Sequence, residues 1–371
     1  MKITDIRTRY LRLPSPAVSG DNLQDLLIIE VLTDEGIIGL GEVHTNPDAA
    51  RAIIDGSGYH TSSRGLREIL VGEDPGEIGR LWDRMYALTQ SYGRRGLAVH
   101  AISGIDIALW DILGKALGKP VYQVLGSVRR TSVPAYASDL TPPGHDEAIQ
   151  TARRHVDAGF RAVKLGWGAL GSDIAADIEL VRRLREAVGP SIDLMVDLGM
   201  PVALDDAIRL GRALADYGVY FLEEPLSPDD LDGWRRLVDQ SPTPVACGEK
   251  ETTRYGFRDL MERGGLRIVQ PDVARAGGIT ECLRIAALAE LHRVRVIPHC
   301  WSSDILVAAT MHLITTLSDC PYLEYNAMEQ PLRTQLITEP IRPRDGIVHV
   351  PEGPGLGIEL NEEVAGRYEI R

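Results

Sequence analysis

Short apolar runs alternate with amphipathic segments along most of this chain, from about residue 133 onward. The apolar runs have the length and composition of buried strands, whereas the intervening segments carry apolar residues at three- and four-residue spacing, as amphipathic helices do. Eight runs qualify as strands: VPAYAS, RAVKLG, IDLMVD, YFLEEP, PVACGE, RIVQPD, VRVIPH and YLEYN. This alternation predicts an α/β fold of the (β/α)8-barrel type.

A doubly wound open sheet is the main alternative for such a pattern. That fold would be favoured by a glycine-rich phosphate turn directly after the first strand. The segment YASDLTPPG, which covers the end of the first strand candidate and its turn, contains no such motif. The barrel is therefore the favoured architecture.

The two ends of the chain follow a different pattern. Strand-like runs TDIRTRYLRLP, LLIIEVLTDEG and IIGLGEV come first and mostly helical sequence follows, which predicts an α+β unit. After the last barrel strand, a Pro- and Gly-rich segment is expected to return and pack on that unit. We therefore predict an N-terminal α+β domain over residues 1–128, the barrel over 129–330, and a C-terminal segment over 331–371.

The composition argues against some classes of binding partner. The 371 residues carry a net charge of −13, whereas nucleic acid or an anionic membrane would require a basic surface. A small anionic substrate remains possible if a metal ion or a local lysine reverses the field inside a pocket. Four widely spaced cysteines indicate neither a disulfide scaffold nor a structural zinc site. Because no long apolar run and no signal-peptide core is visible, we expect a cytoplasmic protein.

Charged residues end nearly every predicted barrel strand. In a barrel of this type, the carboxyl ends of the strands form the active-site mouth. The charged residues there are Lys164, Asp197, Glu223 with Glu224, Glu249 with Lys250, Asp272, His299 and Glu324. These positions are where chemistry is expected.

Three of these acids are candidates for a metal site. Asp197, Glu223 and Glu249 follow successive strands at equal spacing, so they should project toward one point. Carboxylates converging without a counterion would repel one another, and hard oxygen ligands suit Mg2+. The choice between Glu223 and its neighbour Glu224 stays open at this level.

The next two strands carry a possible general base. Asp272 and His299 are expected side by side on the opposite wall of the mouth. A carboxylate beside an imidazole fixes its tautomer, and such a histidine can accept a proton near neutral pH.

At these residues the sequence resembles the enolase superfamily, in its mandelate racemase-like branch. The resemblance covers nearly the whole chain. It is carried by VKLG, MVD, LEEP, CGE, QPDVARAGGIT, PHCWSSDI and LEY at the strand ends, and by GIDIALWDILGKALGKPVYQVLG before the barrel. It implies a (β/α)7β TIM-type barrel under an α+β capping domain, a bound Mg2+, a small carboxylate substrate and a homo-oligomeric assembly.

The resemblance also implies roles for single residues. Shared chemistry in this superfamily is abstraction of the proton α to a carboxylate, which gives an enediolate. The roles carried over by position are these: Asp197, Glu223 and Glu249 as Mg2+ ligands, Lys164 as electrostatic partner of the substrate, Asp272 with His299 as the base, and Glu324 as a hydrogen-bonding acid.

One departure from the family pattern bears on the reaction. Family members often carry Lys-x-Lys at the second strand, but Gly166 occupies the second lysine position here. Racemisation by two bases is then disfavoured, whereas dehydration needs one strong base. We therefore expect a dehydratase that converts a sugar acid into a 2-keto-3-deoxy acid, with His299 acting first as base and then as acid. Racemisation or epimerisation, cycloisomerisation and a non-catalytic metal-binding barrel remain alternatives.

Substrate recognition is expected in the capping loops, over residues 14–25 and 44–60. His44 and Tyr59 are candidate partners for sugar hydroxyls. Trp167 is a candidate pocket wall in place of the absent lysine, or else a packing aromatic on the barrel rim.

Overall fold

A computed structural model describes residues 1–14, 25–58, 60, 63–126 and 128–370. Its N-terminal part is an antiparallel sheet in the order β1-β2-β3, covered by helices. The strands are β1 (Ile3–Arg12), β2 (Asp25–Thr33) and β3 (Ile38–Val43). The helices are α1 (Pro47–Asp55), α2 (Leu66–Leu70), α3 (Ile78–Gly93), α4 (Leu97–Leu117) and α5 (Val121–Leu125). This is the α+β unit that the sequence predicted, and we call it the cap.

The central part is a curled sheet of parallel strands with a helix in each connection. The strands are β4 (Ser132–Leu140), β5 (Ala162–Gly166), β6 (Asp193–Asp197), β7 (Val219–Glu223), β8 (Val245–Cys247), β9 (Ile268–Val269), β10 (Arg295–Val296) and β11 (Leu323–Asn326). The helices are α6 (His145–Asp157), α7 (Ile174–Val188), α8 (Leu204–Ala215), α9 (Leu231–Gln240), α10 (Thr253–Glu262), α11 (Gly278–His292) and α12 (Asp304–Ile314). Eight strands and seven intervening helices confirm the (β/α)7β barrel.

The strand order shows how the sheet curls into the barrel. Neighbouring strands follow the chain from β10 back to β4, and the last strand, β11, then pairs with the first, β4. Within the described residues, no ladder joins β10 to β11. The ladders of β9 and β10 are much shorter than their apolar runs predict, because the chain leaves the sheet after two residues to form the loops of the mouth.

The C-terminal segment contacts both parts of the molecule. It contains α13 (Pro331–Thr334), β12 (Ile347–His349) and α14 (Glu362–Tyr368). Strand β12 pairs antiparallel with the start of β4, and the amide of Ile370 donates to the carbonyl of Tyr10 in β1. The limits 128/129 and 330/331 stay predictions.

Helix α4 fixes the cap on the barrel. It packs so closely on β3 that a Cβ added to Gly41 would lie 2.0 Å from the carbonyl oxygen of Gly104. Its other side meets α11, where Asp106 accepts a hydrogen bond of 2.9 Å from the Thr280 amide. By length and apolar composition α4 could cross a membrane, but most of it is buried inside the protein, as in a core helix. The end of β3 is thereby held at the mouth of the barrel.

Candidate active site

The carboxyl ends of the barrel strands enclose a cleft of about 360 Å³. It is lined by Ser138, Asp139, Leu140, Lys164, Gly166, Trp167, Asp197, Glu249, Arg275, His299, Trp301 and Glu324. Two further predicted residues adjoin it without exposed surface: Glu223, which contacts Lys164, and Asp272, which contacts His299. Seven of the nine strand-end residues singled out from the sequence thus meet at one place, the exceptions being Glu224 and Lys250.

The three predicted metal ligands form a buried cluster. Asp197, Glu223 and Glu249 each offer an oxygen, and these oxygens lie within 4.8 Å of one another. Burial and the charge of Glu223 raise the pKa of Asp197 well above its usual range. Such a crowded set of hard oxygen donors fits a divalent cation such as Mg2+.

Glu224 points away from that cluster. Its carboxylate accepts hydrogen bonds from the Gly248 amide at 3.1 Å and from the Lys250 ammonium at 3.1 Å. Its backbone has a positive φ of 49°, which turns the chain out of β7. The geometry therefore favours Glu223 over Glu224 as a ligand.

Lys164 brings a permanent positive charge to the cleft. Its Nζ lies 2.8 Å from Glu223 Oε2, 2.7 Å from Glu324 Oε1 and 3.7 Å from Asp197 Oδ2. Burial alone would lower the pKa of Lys164, but the surrounding carboxylates outweigh burial and raise it well above its usual value. The ammonium can therefore serve as fixed charge rather than as a proton acceptor.

Asp272 and His299 form a tight pair on the opposite wall. His299 Nδ1 lies 2.7 Å from Asp272 Oδ2, while Asp272 Oδ1 accepts a hydrogen bond of 2.7 Å from the Ala274 amide. Burial would lower the pKa of His299, but the negative charges of Glu324, Glu249 and Asp272 raise it to about 9. The other ring nitrogen, Nε2, lies 3.4 Å from Glu249 Oε2, toward the carboxylate cluster.

Glu324 lies between the lysine and the histidine. One carboxylate oxygen accepts from the Ser138 hydroxyl at 2.9 Å, and the other from the Cys300 amide at 2.8 Å. Burial would raise the pKa of Glu324, but Lys164 and His299 lower it.

A side chain at the position of the missing second lysine would press on Asp197. A Cβ on Gly166 would lie 2.8 Å from Asp197 Oδ2 and 3.0 Å from Asp197 Cβ. The next residue, Trp167, has a positive φ of 57° and borders the cleft. Its indole lies against Gly199, where a Cβ would come within 2.5 Å of the ring, and the Lys250 ammonium lies 5.5 Å from the ring centroid.

The substrate-binding residues predicted in the cap are not among the described residues that line the cleft. His44 lies at the end of β3, with Nδ1 3.0 Å from Asp272 Oδ2, and it is not among the residues that line the cleft. Tyr59 and nearly all of the first capping loop lie outside the described residues. Substrate contacts by His44, Tyr59 and Trp167 stay predictions.

Sequence reasoning missed several residues of the cleft. Ser138 could have been found, because on β4 it shares the inward face with Tyr136 by the two-residue period of a strand. Arg275 lies in the motif QPDVARAGGIT, but its contacts to the cap at His44 depend on how two domains meet.

Comparison with known proteins covers the whole chain. Residues 7–126 match the model of the mandelate racemase / muconate lactonizing enzyme N-terminal domain, and residues 147–364 match the enolase C-terminal domain-like model. The D-galactarolactone cycloisomerase of Agrobacterium fabrum is 34% identical over 389 residues, covering 100% of this chain and 99% of that protein. The arabinonate dehydratase of Saccharolobus solfataricus is 33% identical over 388 residues, covering 100% of both.

Solved structures are similar to this chain over nearly its whole length. The 3,6-anhydro-D-galactonate cycloisomerase of Zobellia galactanivorans superposes with a TM-score of 0.90 at 31% identity, covering 100% of both chains. A racemase from Streptomyces coelicolor with bound magnesium has a TM-score of 0.88 at 32% identity, covering 99% of this chain and 100% of that one.

Proposed function

Because this chain belongs to the mandelate racemase / muconate lactonizing enzyme family of the enolase superfamily, we propose that it is a Mg2+-dependent sugar acid dehydratase. It removes the proton α to a carboxylate and expels the β-hydroxyl, and the product is a 2-keto-3-deoxy acid. The observation that carries this proposal is the arrangement of the base. His299 and Asp272 stand on one wall of the cleft, and on the other the position of the second lysine is held by Gly166, which has no side chain to act as a base.

Asp197, Glu223 and Glu249 are the proposed Mg2+ ligands. When bound there, Mg2+ would supply charge that holds the substrate carboxylate, and it would offset the charge of Glu249 and so lower the pKa of His299 from about 9. Lys164 places a second positive charge beside the same carboxylate and stabilises the negative charge that develops on it.

His299 carries the proton in both steps. Its Nδ1–H is held by Asp272, so its Nε2 is the nitrogen that receives the α-proton. The resulting imidazolium then protonates the β-hydroxyl as the C–O bond breaks, so that water leaves and a C=C bond forms. The enol product becomes the keto acid by tautomerisation. One group can perform both transfers if the α-proton and the hydroxyl lie on the same face of the substrate.

Cycloisomerisation is the second candidate, because two full-length relatives are cycloisomerases of a lactone and of an anhydro sugar acid. The same base would remove the same kind of proton. The leaving β-oxygen would then belong to a ring, so the ring opens and no water is lost.

A mass-spectrometric screen tests both candidates. Purified protein with Mg2+ is incubated in D2O with aldonic acids, aldaric acids and their lactones, and an α-keto acid reagent is added afterwards. A keto acid that has lost water from an open-chain acid, dependent on Mg2+ and absent with His299→Asn, supports dehydration. A keto acid that keeps the heavy-atom composition of a ring substrate, with deuterium taken up from the solvent, supports cycloisomerisation. Stereoisomers without any keto acid would contradict both.

A further inference from the structure

The cap contributes a histidine to the proposed base. His44, two residues beyond Glu42 of β3, reaches Asp272 with its Nδ1, 3.0 Å from Oδ2. The same oxygen lies 2.7 Å from His299 Nδ1. The two imidazole rings are nearly parallel, with centroids 5.7 Å apart and an interplanar angle of 11°. Asp272 is thus shared by one histidine of the barrel and one of the cap.

Arg275 determines which nitrogen of His44 carries the proton. Its Nη2 lies 3.1 Å from His44 Nε2. A guanidinium has only donors, so Nε2 must present its lone pair. The remaining proton of a neutral imidazole then sits on Nδ1 and is donated to Asp272. Burial and the charge of Arg275 also lower the pKa of His44, which favours the neutral form.

The backbone of His44 is held by the same loop. Its carbonyl accepts a hydrogen bond of 2.8 Å from Arg275 Nε, and its amide donates to the Ala274 carbonyl at 3.4 Å. Glu42, on the same face of the strand, accepts a hydrogen bond from the Ser303 hydroxyl in the loop after His299. The end of β3 is therefore hydrogen-bonded to both loops that carry the proposed base, the one after Asp272 and the one after His299.

We propose that His44 is a positioning residue for the general base: as a neutral imidazole it donates its Nδ1–H to Asp272 and so fixes the carboxylate that orients His299. This inference rests on the proposed role of His299. It assigns His44 an indirect part in the reaction, in which it acts through Asp272 instead of through a substrate hydroxyl.

Three variants separate this role from simple packing. His44→Phe keeps an aromatic ring beside His299 but removes the donor. His44→Asn can place an amide N–H near the position of Nδ1. His349→Phe is the matched control, because His349 lies exposed on β12. With Mg2+ and an acid that the screen identifies as a substrate, His44→Phe should lower kcat about 10- to 100-fold at unchanged KM. Removing a residue that hydrogen-bonds to a functional side chain typically has an effect of this size. His44→Asn should recover most of kcat, and a wild-type kcat in His44→Phe would overturn the proposal.

Nitrogen NMR of histidine-labelled protein with Mg2+ gives a second result that needs no substrate. The His44 signals, identified by their loss in His44→Asn, should be those of a neutral ring protonated at Nδ1. The His299 Nδ1–H resonance should move in both His44 variants, more in His44→Phe, and not in His349→Phe. A doubly protonated His44, an Nε2–H tautomer or an unmoved His299 resonance would overturn the proposal, even if His44→Phe fails to fold.

The two measurements also distinguish this inference from the proposed function. If no acid in the screen is turned over or exchanges its α-proton, the proposed function fails, while the NMR result still decides whether His44 positions Asp272. If turnover depends on His299 but both His44 variants match the wild type, only the positioning role fails.

Discussion

On one side of the cleft, two of the three carboxylates end ladders of four or five residue pairs, whereas on the other side the functional residues stand beyond a ladder of two pairs. Asp197 and Glu223 are direct partners in the pairing of β6 with β7, and Gly166 is the partner of Asp197 on β5. Asp272 and His299 come three residues after the ends of β9 and β10. The carboxylate wall, Asp197, Glu223 and Glu249, is therefore built largely by the barrel. The base wall, Asp272 and His299, depends also on the cap.

The residues of the two walls are therefore positioned by different interactions. Backbone ladders place Cα atoms of neighbouring strands at fixed distances, so the carboxylates converge wherever the barrel forms. The base wall is instead held by side-chain and loop hydrogen bonds, from the Ala274 amide and from His44. Substitutions in the cap should therefore affect proton transfer while sparing Mg2+ binding.

The largest effect is expected from the carboxylate wall itself. Glu223→Gln should abolish Mg2+-dependent turnover and weaken Mg2+ binding by at least about 100-fold, because loss of a ligand should exceed the effect of losing an outer partner. Isothermal titration with Mg2+ measures this. Glu224→Gln is the matched control and should change the affinity far less, since Glu224 is bonded to Gly248 and Lys250. Equal losses in both variants would contradict the ligand assignment.

His299→Asn comes next and tests the base wall. Exchange of the substrate α-proton with D2O should fall by about 10²- to 10⁴-fold, the usual contribution of a general base, while Mg2+ affinity stays near that of the wild type. His349→Asn provides the comparison, because His349 is exposed on β12 and is not among the residues that line the cleft. Normal exchange in His299→Asn would refute its role as base.

Gly166→Ala should sharpen the contrast between the walls. The added methyl group would press on Asp197, so Mg2+ should bind about 10-fold more weakly. The base wall should be unaffected, and saturating Mg2+ should restore most of kcat. Gly79→Ala is the control, because a Cβ there would meet no atom of the described residues within 4 Å. Unchanged Mg2+ affinity in Gly166→Ala would show that Asp197 can move without consequence.

The smallest effect is expected from Asp106 at the contact between cap and barrel, where a substitution should change the stability of the protein and leave turnover nearly unchanged. Burial raises the pKa of Asp106 to about 7. A carboxyl whose pKa is higher in the folded protein destabilises it increasingly as pH rises from about 4 to about 7. Asp106→Asn removes this dependence. The free energy of unfolding of the variant minus that of the wild type should therefore be larger, in the direction of a more stable variant, at pH 8 than at pH 5. Urea unfolding at both values checks this, and a difference independent of pH would exclude an ionising Asp106.

The same contrast explains what could be predicted from the sequence. The fold and the strand-end residues follow from patterns inside single strand-helix units, so Lys164, Asp197, Glu249 and Glu324 could be placed at one mouth. Spacing could not separate Glu223 from Glu224, because the turn of the chain at φ 49° decides which carboxylate points inward.

Contacts between distant segments were beyond sequence reasoning. The bond of His44 to Asp272 depends on how α4 packs on β3 and α11, which no local pattern encodes. Gly166 was recognised as a missing lysine, but the crowding that a side chain there would cause with Asp197 is visible only once β5 and β6 are paired.

The glycines of β3 have a consequence for engineering. A Cβ on Gly39 would lie 2.1 Å from the Ala108 carbonyl oxygen, as tight as the contact between Gly41 and Gly104. Strand and helix therefore fit only as a matched pair. A chimera that exchanges specificity loops with a relative should transplant β3 together with α4 as one cassette, since a foreign helix would shift the strand end and leave the acceptor barrel with a misaligned base.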